Sequence, residues 1–211
     1  MPRKNKDLVA NNILDAVIWC KYQAKGGYIQ ITQVAARAGI SSRTLNRYFP
    51  DKSRLFGLAA AKFVQIKYAE FEEHYKSVNM AGKNGLCRLL TFLRYMKDYM
   101  SGDAADARQL ADANFSFMGG VIDDEYWKVS FGGRIKETLA MDIREGIKDG
   151  SIKSEANPAE TAALICATYN GVMQKLLISA LSGVTDEEKA ESRKVCDNYF
   201  KELESLLSPR T

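Results

Sequence analysis

Residues 31–49 contain the feature that most restricts the fold, which is two short helical segments joined by a three-residue turn. Ala35 and Gly39 are four residues apart, and Leu45 follows six residues later. Two helices that cross steeply need a small residue at their contact, a residue free to adopt positive φ in the turn, and an apolar anchor on the second helix. The spacing therefore predicts a helical hairpin in this segment.

The rest of the chain also has a helical pattern. Its 211 residues include only four prolines and fifteen glycines, so there are few positions at which long elements can end. Apolar residues recur at the spacing of one helical face, as at Val9, Ile13 and Val17. This pattern predicts an all-α protein of about nine helices. The small number of prolines and glycines argues against an all-β sandwich, which needs a turn about every ten residues. We expect an N-terminal three-helix domain over residues 1–52 and a larger helical domain over residues 53–211.

The charge is distributed unevenly. The net charge is +4, but residues 1–70 carry twelve Lys and Arg against four Asp and Glu, a net charge of +8, which leaves −4 for the remainder. Such asymmetry points to a nucleic-acid or membrane surface, although a solvated basic surface fits the charge equally well. No apolar run reaches the ~20 residues of a membrane span. We expect a cytoplasmic protein.

The chain has few residues suited to catalysis or metal binding. His74 is the one histidine, and the four cysteines are far apart, without the paired spacing of a zinc site. There is no phosphate-loop or Gly-x-Ser-x-Gly motif. These features predict buried free thiols, no metal, no cofactor and no enzymatic activity.

The outward face of the predicted hairpin is basic and polar. It contains no carboxylate and is rich in groups that donate hydrogen bonds to phosphates and base edges. Its members are Gln33, Arg37, Ser42, Arg43, Thr44, Asn46 and Arg47. A helix fits the major groove and its N-terminal residues reach deepest, so we expect Ser42, Arg43 and Asn46 to read bases. An ordinary hairpin with a polar surface is the alternative when the spacing is taken alone.

The sequence from Gly39 to Phe56 resembles the helix-turn-helix and following helix of the TetR family of bacterial transcriptional regulators. The family pattern is Gly-Val-Ser-x-x-Thr-Leu-Tyr-x-Tyr-Phe-x-x-Lys-x-x-Leu, and the chain reads GISSRTLNRYFPDKSRLF over this segment. The resemblance extends upstream through Ile13–Ala16 and Gly27-Tyr28, so it covers about residues 8–60. It implies an N-terminal DNA-binding domain, and a C-terminal domain that binds a small effector and forms a homodimer through the last two helices.

The resemblance also assigns roles to individual positions. Thr44, Tyr48 and Lys52 match the usual phosphate-contacting residues, Ser42 and Arg43 fall on base-reading positions, and Thr32 falls on a position that often reaches the groove. The predicted DNA contacts are Thr32, Gln33, Ser42, Arg43, Thr44, Asn46, Arg47, Tyr48 and Lys52.

Two positions depart from the family pattern. Asn46 replaces a frequent tyrosine, which removes an aromatic phosphate contact but offers an amide able to pair with adenine. Gln30 stands where a capping Thr or Ser is common. We therefore expect altered base preference and an altered helix start.

The penultimate helix suggests a dimer interface. The segment from Pro158 to Leu181 is apolar almost all round, so more than one of its sides must be covered. Small residues four apart permit close approach of a partner helix. The predicted interface residues are Ala163, Ala167, Gly171, Tyr199, Phe200 and Leu203. The alternative is that both last helices are buried against their own domain.

Aromatic and methionine side chains of the second domain are candidates to line an effector pocket, together with an asparagine that could orient a ligand. These candidates are Tyr95, Met96, Tyr99, Phe115, Met118, Trp127, Asn170 and Met173. An aromatic stripe at helical spacing fits a core equally well.

The function that these observations favour is a ligand-responsive homodimeric repressor that binds a palindromic DNA operator. One alternative is a helical small-molecule-binding protein or enzyme whose N-terminal hairpin does not read DNA. A second is a helical adaptor for an acidic protein partner. The charge and the hairpin favour duplex DNA as the partner, with an unidentified small molecule as the effector.

Overall fold

The structure is a computed structural model that describes residues 3–24, 28–118, 132–179 and 184–209. These parts of the chain contain nine helices and no strand. The helices are α1 Arg3–Ala24, α2 Ile31–Arg37, α3 Ser42–Tyr48, α4 Lys52–Tyr75, α5 Gly85–Ser101, α6 Ala104–Met118, α7 Gly132–Lys148, α8 Pro158–Ile178 and α9 Asp186–Leu207. The predicted all-α fold is confirmed.

A small core lies between α1, α2, α3 and the first turns of α4. Its fully buried side chains are Ile13, Val17, Val34, Leu45 and Leu55. This core ends at Ala59, and the core of the second unit begins one residue later at Ala60. The α4 helix therefore belongs to both units and connects them without a linker.

The larger core is centred on Phe71 of α4. The ring of Phe71 lies within 5.9 Å of five other aromatic rings, measured between centroids, and these rings come from α4 and α5. Around this cluster α6 packs against α4 and α8, while α7 packs against α5 and α8. The buried Tyr169 hydroxyl of α8 donates to the Leu93 carbonyl of α5 at 2.9 Å, which fixes these two helices together.

Side-chain caps determine where most of the helices start. The Asp51 carboxylate accepts hydrogen bonds from the amides of Ser53 and Arg54 at the start of α4. Asn84 and Asn157 cap α5 and α8 in the same way. Thr185 and Glu188 form a reciprocal capping box at the start of α9. Pro158 lies in the first turn of α8, and the first turn of α9 is acidic.

One expectation from the sequence differs from the structure. Cys87 is exposed on α5, whereas Cys20 and Cys196 are buried as expected. Within the parts of the chain that the structure describes, no helix is long and apolar enough to cross a membrane.

Candidate nucleic-acid interface

The hairpin of α2 and α3 is held by a turn that only a residue at positive φ fits easily. Gly39 has φ 69°, and the next amide, that of Ile40, donates to the Ala35 carbonyl at 3.0 Å. Leu45 of α3 is fully buried and Ala35 is 2% exposed. The predicted roles of these three positions agree with the geometry, and Leu45 fixes which side of α3 faces outward.

Ser41 determines where α3 starts. Its Oγ accepts the Thr44 amide at 3.1 Å and lies 3.0 Å from the Thr44 Oγ1. Ser41 is therefore the N-cap of α3, and losing such a cap costs about 1 kcal/mol in comparable helices. Because Thr44 is tied to the cap and half-buried, its hydroxyl lies at the edge of the outward face.

The remaining predicted DNA contacts lie together on one side of the hairpin and at the start of α4. Arg43, Asn46 and Arg47 are exposed on α3, and the Arg47 guanidinium lies 5.8 Å from the Tyr48 ring. Lys52 is exposed at the first position of α4, and Thr32 is exposed on α2. Ser42 and Tyr48 are half-buried.

Positive charge predominates on this face. Residues 28–59 carry five Lys and Arg and a single carboxylate, Asp51. The Asp51 Oδ1 is occupied by the two amides that it caps at the start of α4. Cationic donors therefore face outward, while the one nearby anion is used within the fold. Such a surface can neutralise backbone phosphates.

Two contacts of α2 were missed in the sequence. The Gln33 Oε1 accepts the Gln30 amide at 2.8 Å, so the helix start is completed by Gln33 in place of a capping Thr or Ser. Gln33 is therefore partly committed to the fold. The Arg37 guanidinium lies 4.5 Å from the centre of the Trp19 ring on α1, a cation–π contact that joins α2 to α1. The Gln33 contact has a local signal, since Gln at the third helical position is part of the capping-box pattern, whereas the Arg37–Trp19 contact joins residues 18 positions apart.

Ion pairs join the small unit to the larger one. The Lys62 Nζ of α4 lies 2.7 Å from the Asp15 carboxylate of α1. The Lys21 Nζ of α1 lies 3.1 Å from the Asp112 carboxylate of α6. The position of α1 is therefore tied to both α4 and α6.

Several predicted pocket residues are part of the larger core. Met96 and Met173 are 2% and 5% exposed and belong to this core. The Tyr95 and Tyr99 rings pack against Phe71. The Tyr99 hydroxyl donates to the Glu70 carboxylate at 3.2 Å, and burial, followed by this hydrogen bond, raises the pKa of Tyr99 to about 12.

Among the other pocket candidates, Asn170 is the one whose side chain the structure describes. Asn170 is exposed on the surface of α8. Trp127 lies outside the described residues, as do the side chains of Phe115 and Met118. A separate cavity, of about 380 Å³, lies between α5, α6, α8 and α9, and it is lined mainly by charged and polar side chains.

The predicted interface residues differ in how far they are exposed. Ala167 and Gly171 are exposed on α8, and a Cβ added to Gly171 would meet nothing within 4 Å. Ala163 and Tyr199 are half-buried, and the Tyr199 hydroxyl lies 3.1 Å from the Thr168 Oγ1 at the seam between α8 and α9. Phe200 and Leu203 are only 3% and 6% exposed. These two pack into the core of their own chain, because they lie on the side of α9 that faces it.

Comparisons with known proteins were made for the sequence and for the fold. No protein-family model matches the sequence, and no curated protein matches it. The fold is similar to a transcriptional regulator from Cytophaga hutchinsonii, with a TM-score of 0.61 and 18% identity, covering 93% of this chain and 97% of the other. It is also similar to a TetR family transcriptional regulator from Chloroflexus aurantiacus, with a TM-score of 0.54 and 18% identity, covering 100% and 96% of the two chains. The resemblance seen in the helix-turn-helix sequence is confirmed in the structure: this chain has the fold of the TetR-family transcriptional regulators.

Proposed function

We propose that the protein is a transcriptional regulator, a homodimeric repressor that binds a palindromic DNA operator and responds to a small effector. The observation that carries this proposal is the outward face of α3, where Arg43, Asn46 and Arg47 are exposed and Leu45 anchors the opposite side. Arginine pairs with guanine and asparagine with adenine in the major groove. The similarity of the whole fold to transcriptional regulators supports the same function.

The operator can be identified without knowing the regulated genes. The purified protein is used to select binders from a random duplex library at physiological salt. A dimer with two recognition helices about 34–36 Å apart should enrich two inverted half-sites one helical turn apart. A library that shows no enrichment would overturn the proposal, and a single half-site would overturn its dimeric form.

We expect Arg43→Ala to weaken binding to the selected operator by about 1–3 kcal/mol and to relax preference at one base position, because this exposed guanidinium is placed to read a base edge. Lys52→Ala should weaken binding to the operator and to random DNA about equally. It should also reduce the slope of log affinity against log salt concentration by about one, the value expected for one lost phosphate contact. Gel shifts over a range of salt concentrations measure both effects.

The control for these two variants is Arg144→Ala, because Arg144 is exposed on α7 in the other unit. It removes the same charge and should leave DNA binding nearly unchanged. Equal losses of specificity from the Arg43 and Lys52 variants would contradict this assignment of base and phosphate contacts.

The exposed side of α8 and α9 supports a homodimer. The pair is antiparallel, because Lys175 pairs with Glu191 while Thr168 meets Tyr199. Leu164 and Leu206, at the same end of this pair, are 57% and 58% exposed. With the open surface at Gly171, these residues form an apolar face that a second copy can cover isologously.

We expect Leu164→Glu to raise the dissociation constant of the dimer by more than about tenfold, because it places a charge in the apolar face that the second copy would cover. Analytical ultracentrifugation over a concentration series measures this constant. The matched control is Met141→Glu, since Met141 is 55% exposed on α7. A wild-type monomer, or equal effects of the two variants, would contradict the proposed interface.

A further inference from the structure

We propose that the cavity between α5, α6, α8 and α9 binds a small carboxylic acid, held by the Arg193 guanidinium. The cavity volume of about 380 Å³ falls in the range of small-molecule sites. None of its lining residues is among those that the sequence proposes for a pocket. The link to DNA rests on the proposed function, whereas acid binding is a separate property.

The lining contains one more cation than carboxylates. Three cationic side chains line the cavity, Lys97, Lys189 and Arg193, against the two carboxylates Asp98 and Asp197. The Asp98 carboxylate is paired with the Lys97 Nζ at 2.9 Å, and Lys189 pairs with Asp186, which lies outside the lining, at 3.2 Å. With these two pairs set aside, the lining presents the Arg193 guanidinium beside one carboxylate, Asp197.

Arg193 is the residue best placed to hold the ligand. It is exposed on α9 and forms no ion pair with any residue that the structure describes. A guanidinium binds a carboxylate through two parallel hydrogen bonds, which gives direction as well as charge. The Ser101 and Ser179 side chains add hydroxyl groups, and Leu176 and Ala107 add apolar surface. This combination fits a small acid with a short carbon skeleton.

The position of Ala107 connects the cavity to the DNA-binding unit. Ala107 lines the cavity in the first turns of α6 and is 1% exposed. The preceding residue, Asp106, pairs with Lys67 of α4 at 2.7 Å. Further along α6, Asp112 pairs with Lys21 of α1 at 3.1 Å. A ligand that packs against Ala107 therefore contacts the helix that is paired with both α4 and α1. Through this helix we expect ligand binding and operator binding to be coupled, and any such coupling is reciprocal.

The first experiment measures acid binding without DNA. The probes are succinate, benzoate and hexanoate, each compared with its uncharged amide, and binding is followed by saturation-transfer NMR and calorimetry. At least one acid should bind while its amide does not. Arg193→Gln should weaken that binding by about tenfold or more. The matched control Lys194→Gln removes the same charge from the next, exposed residue of α9 and should change binding less than about twofold.

The second experiment repeats the operator gel shift with the acid that binds. The acid should change operator affinity of the wild type and of the Lys194 variant, but not of the Arg193 variant. Failure of all three acids to bind, or equal binding to the Arg193 variant, would overturn the site. Acid binding that leaves operator affinity unchanged would overturn the link through α6. A protein that selects no operator would overturn the proposed regulator function and leave the acid-binding result standing.

Discussion

Replacing Gly85 by alanine should destabilise the folded protein by about 3 kcal/mol or more, the upper range for overpacking a well-filled site. Gly85 is the first residue of α5, where this helix crosses α7. A Cβ at this position would overlap the backbone N and Cα of Gly146 and would lie 2.5 Å from the Asp142 carbonyl oxygen. Backbone atoms cannot rotate away as a side chain does, so α5 and α7 would have to separate.

The same site has little freedom to relax in other ways. The Gly85 amide donates to the Asp149 carboxylate at 2.7 Å, and the Leu86 amide donates to the Ser151 Oγ at 3.1 Å. These bonds tie the start of α5 to the turn after α7. A shift of α5 would therefore stretch or break both bonds in addition to opening the core between the helices.

The free energy of unfolding, measured in urea for the wild type and the Gly85→Ala variant, checks this prediction. A matched comparison is Asn84→Ala, which removes the cap on the same helix and should cost about 1 kcal/mol. If the alanine at position 85 cost less than the loss of the cap, the close helix crossing would be contradicted.

This crossing also shows what the sequence could not supply. Gly85 and Gly146 are 61 positions apart, and in the local sequence a glycine at position 85 indicates only a helix break. The pairing depends on how α5 and α7 pack, which no local spacing encodes. By contrast, the contacts of Ala35, Gly39 and Leu45 lie within ten residues, so local geometry was enough to predict the hairpin.

The aromatic residues of α5 show a second limit. A helical stripe of apolar side chains is required by a core and by a pocket alike, so its spacing does not distinguish them. The rings of Tyr95 and Tyr99 pack against Phe71 of α4, a contact that the spacing on α5 alone does not predict. In the same way, Phe200 is buried in its own chain because the rotation of α9 about its axis turns this side chain toward the core.

The charged cavity was missed for a related reason. Its cations come from two helices, Lys97 on α5 and Lys189 and Arg193 on α9, and each alone reads as an ordinary solvated residue. The fold brings them together around one opening. The DNA-facing residues could be predicted because a single short helix carries most of them.

Replacing Lys67 by methionine should destabilise the protein by about 3 kcal/mol near neutral pH, because it leaves a buried carboxylate without its counter-ion. The Lys67 Nζ lies 2.7 Å from the Asp106 Oδ2 and 2.6 Å from the Glu70 Oε2, and its side chain is 14% exposed. The Asp106 Oδ1 is buried and has no hydrogen-bond partner among the described residues. The ion pair is therefore the main compensation for burying Asp106.

The pH dependence of this loss has a definite sign. Burial raises the pKa of Asp106 above its ordinary value of 3.8 even with Lys67 present. A carboxyl whose folded-state pKa is raised binds a proton more tightly in the folded state, so stability falls as the pH rises from the ordinary value through the folded-state pKa. Without Lys67 the folded-state pKa should rise further. The loss caused by Lys67→Met should therefore shrink as the pH falls and Asp106 takes up a proton.

Urea unfolding of the wild type, Lys67→Met and Lys67→Met/Asp106→Asn over a range of pH values separates these effects. The added Asp106→Asn change removes the unpaired charge with little change in shape, so it should recover much of the loss and flatten its pH dependence. Lys76→Met is the matched control, since Lys76, directly after the end of α4, pairs with Glu73 at 2.6 Å but has a side chain that is 70% exposed, and it should leave stability nearly unchanged. A loss that did not depend on pH and was not recovered by Asp106→Asn would show that Lys67 stabilises α4 through packing and not through Asp106.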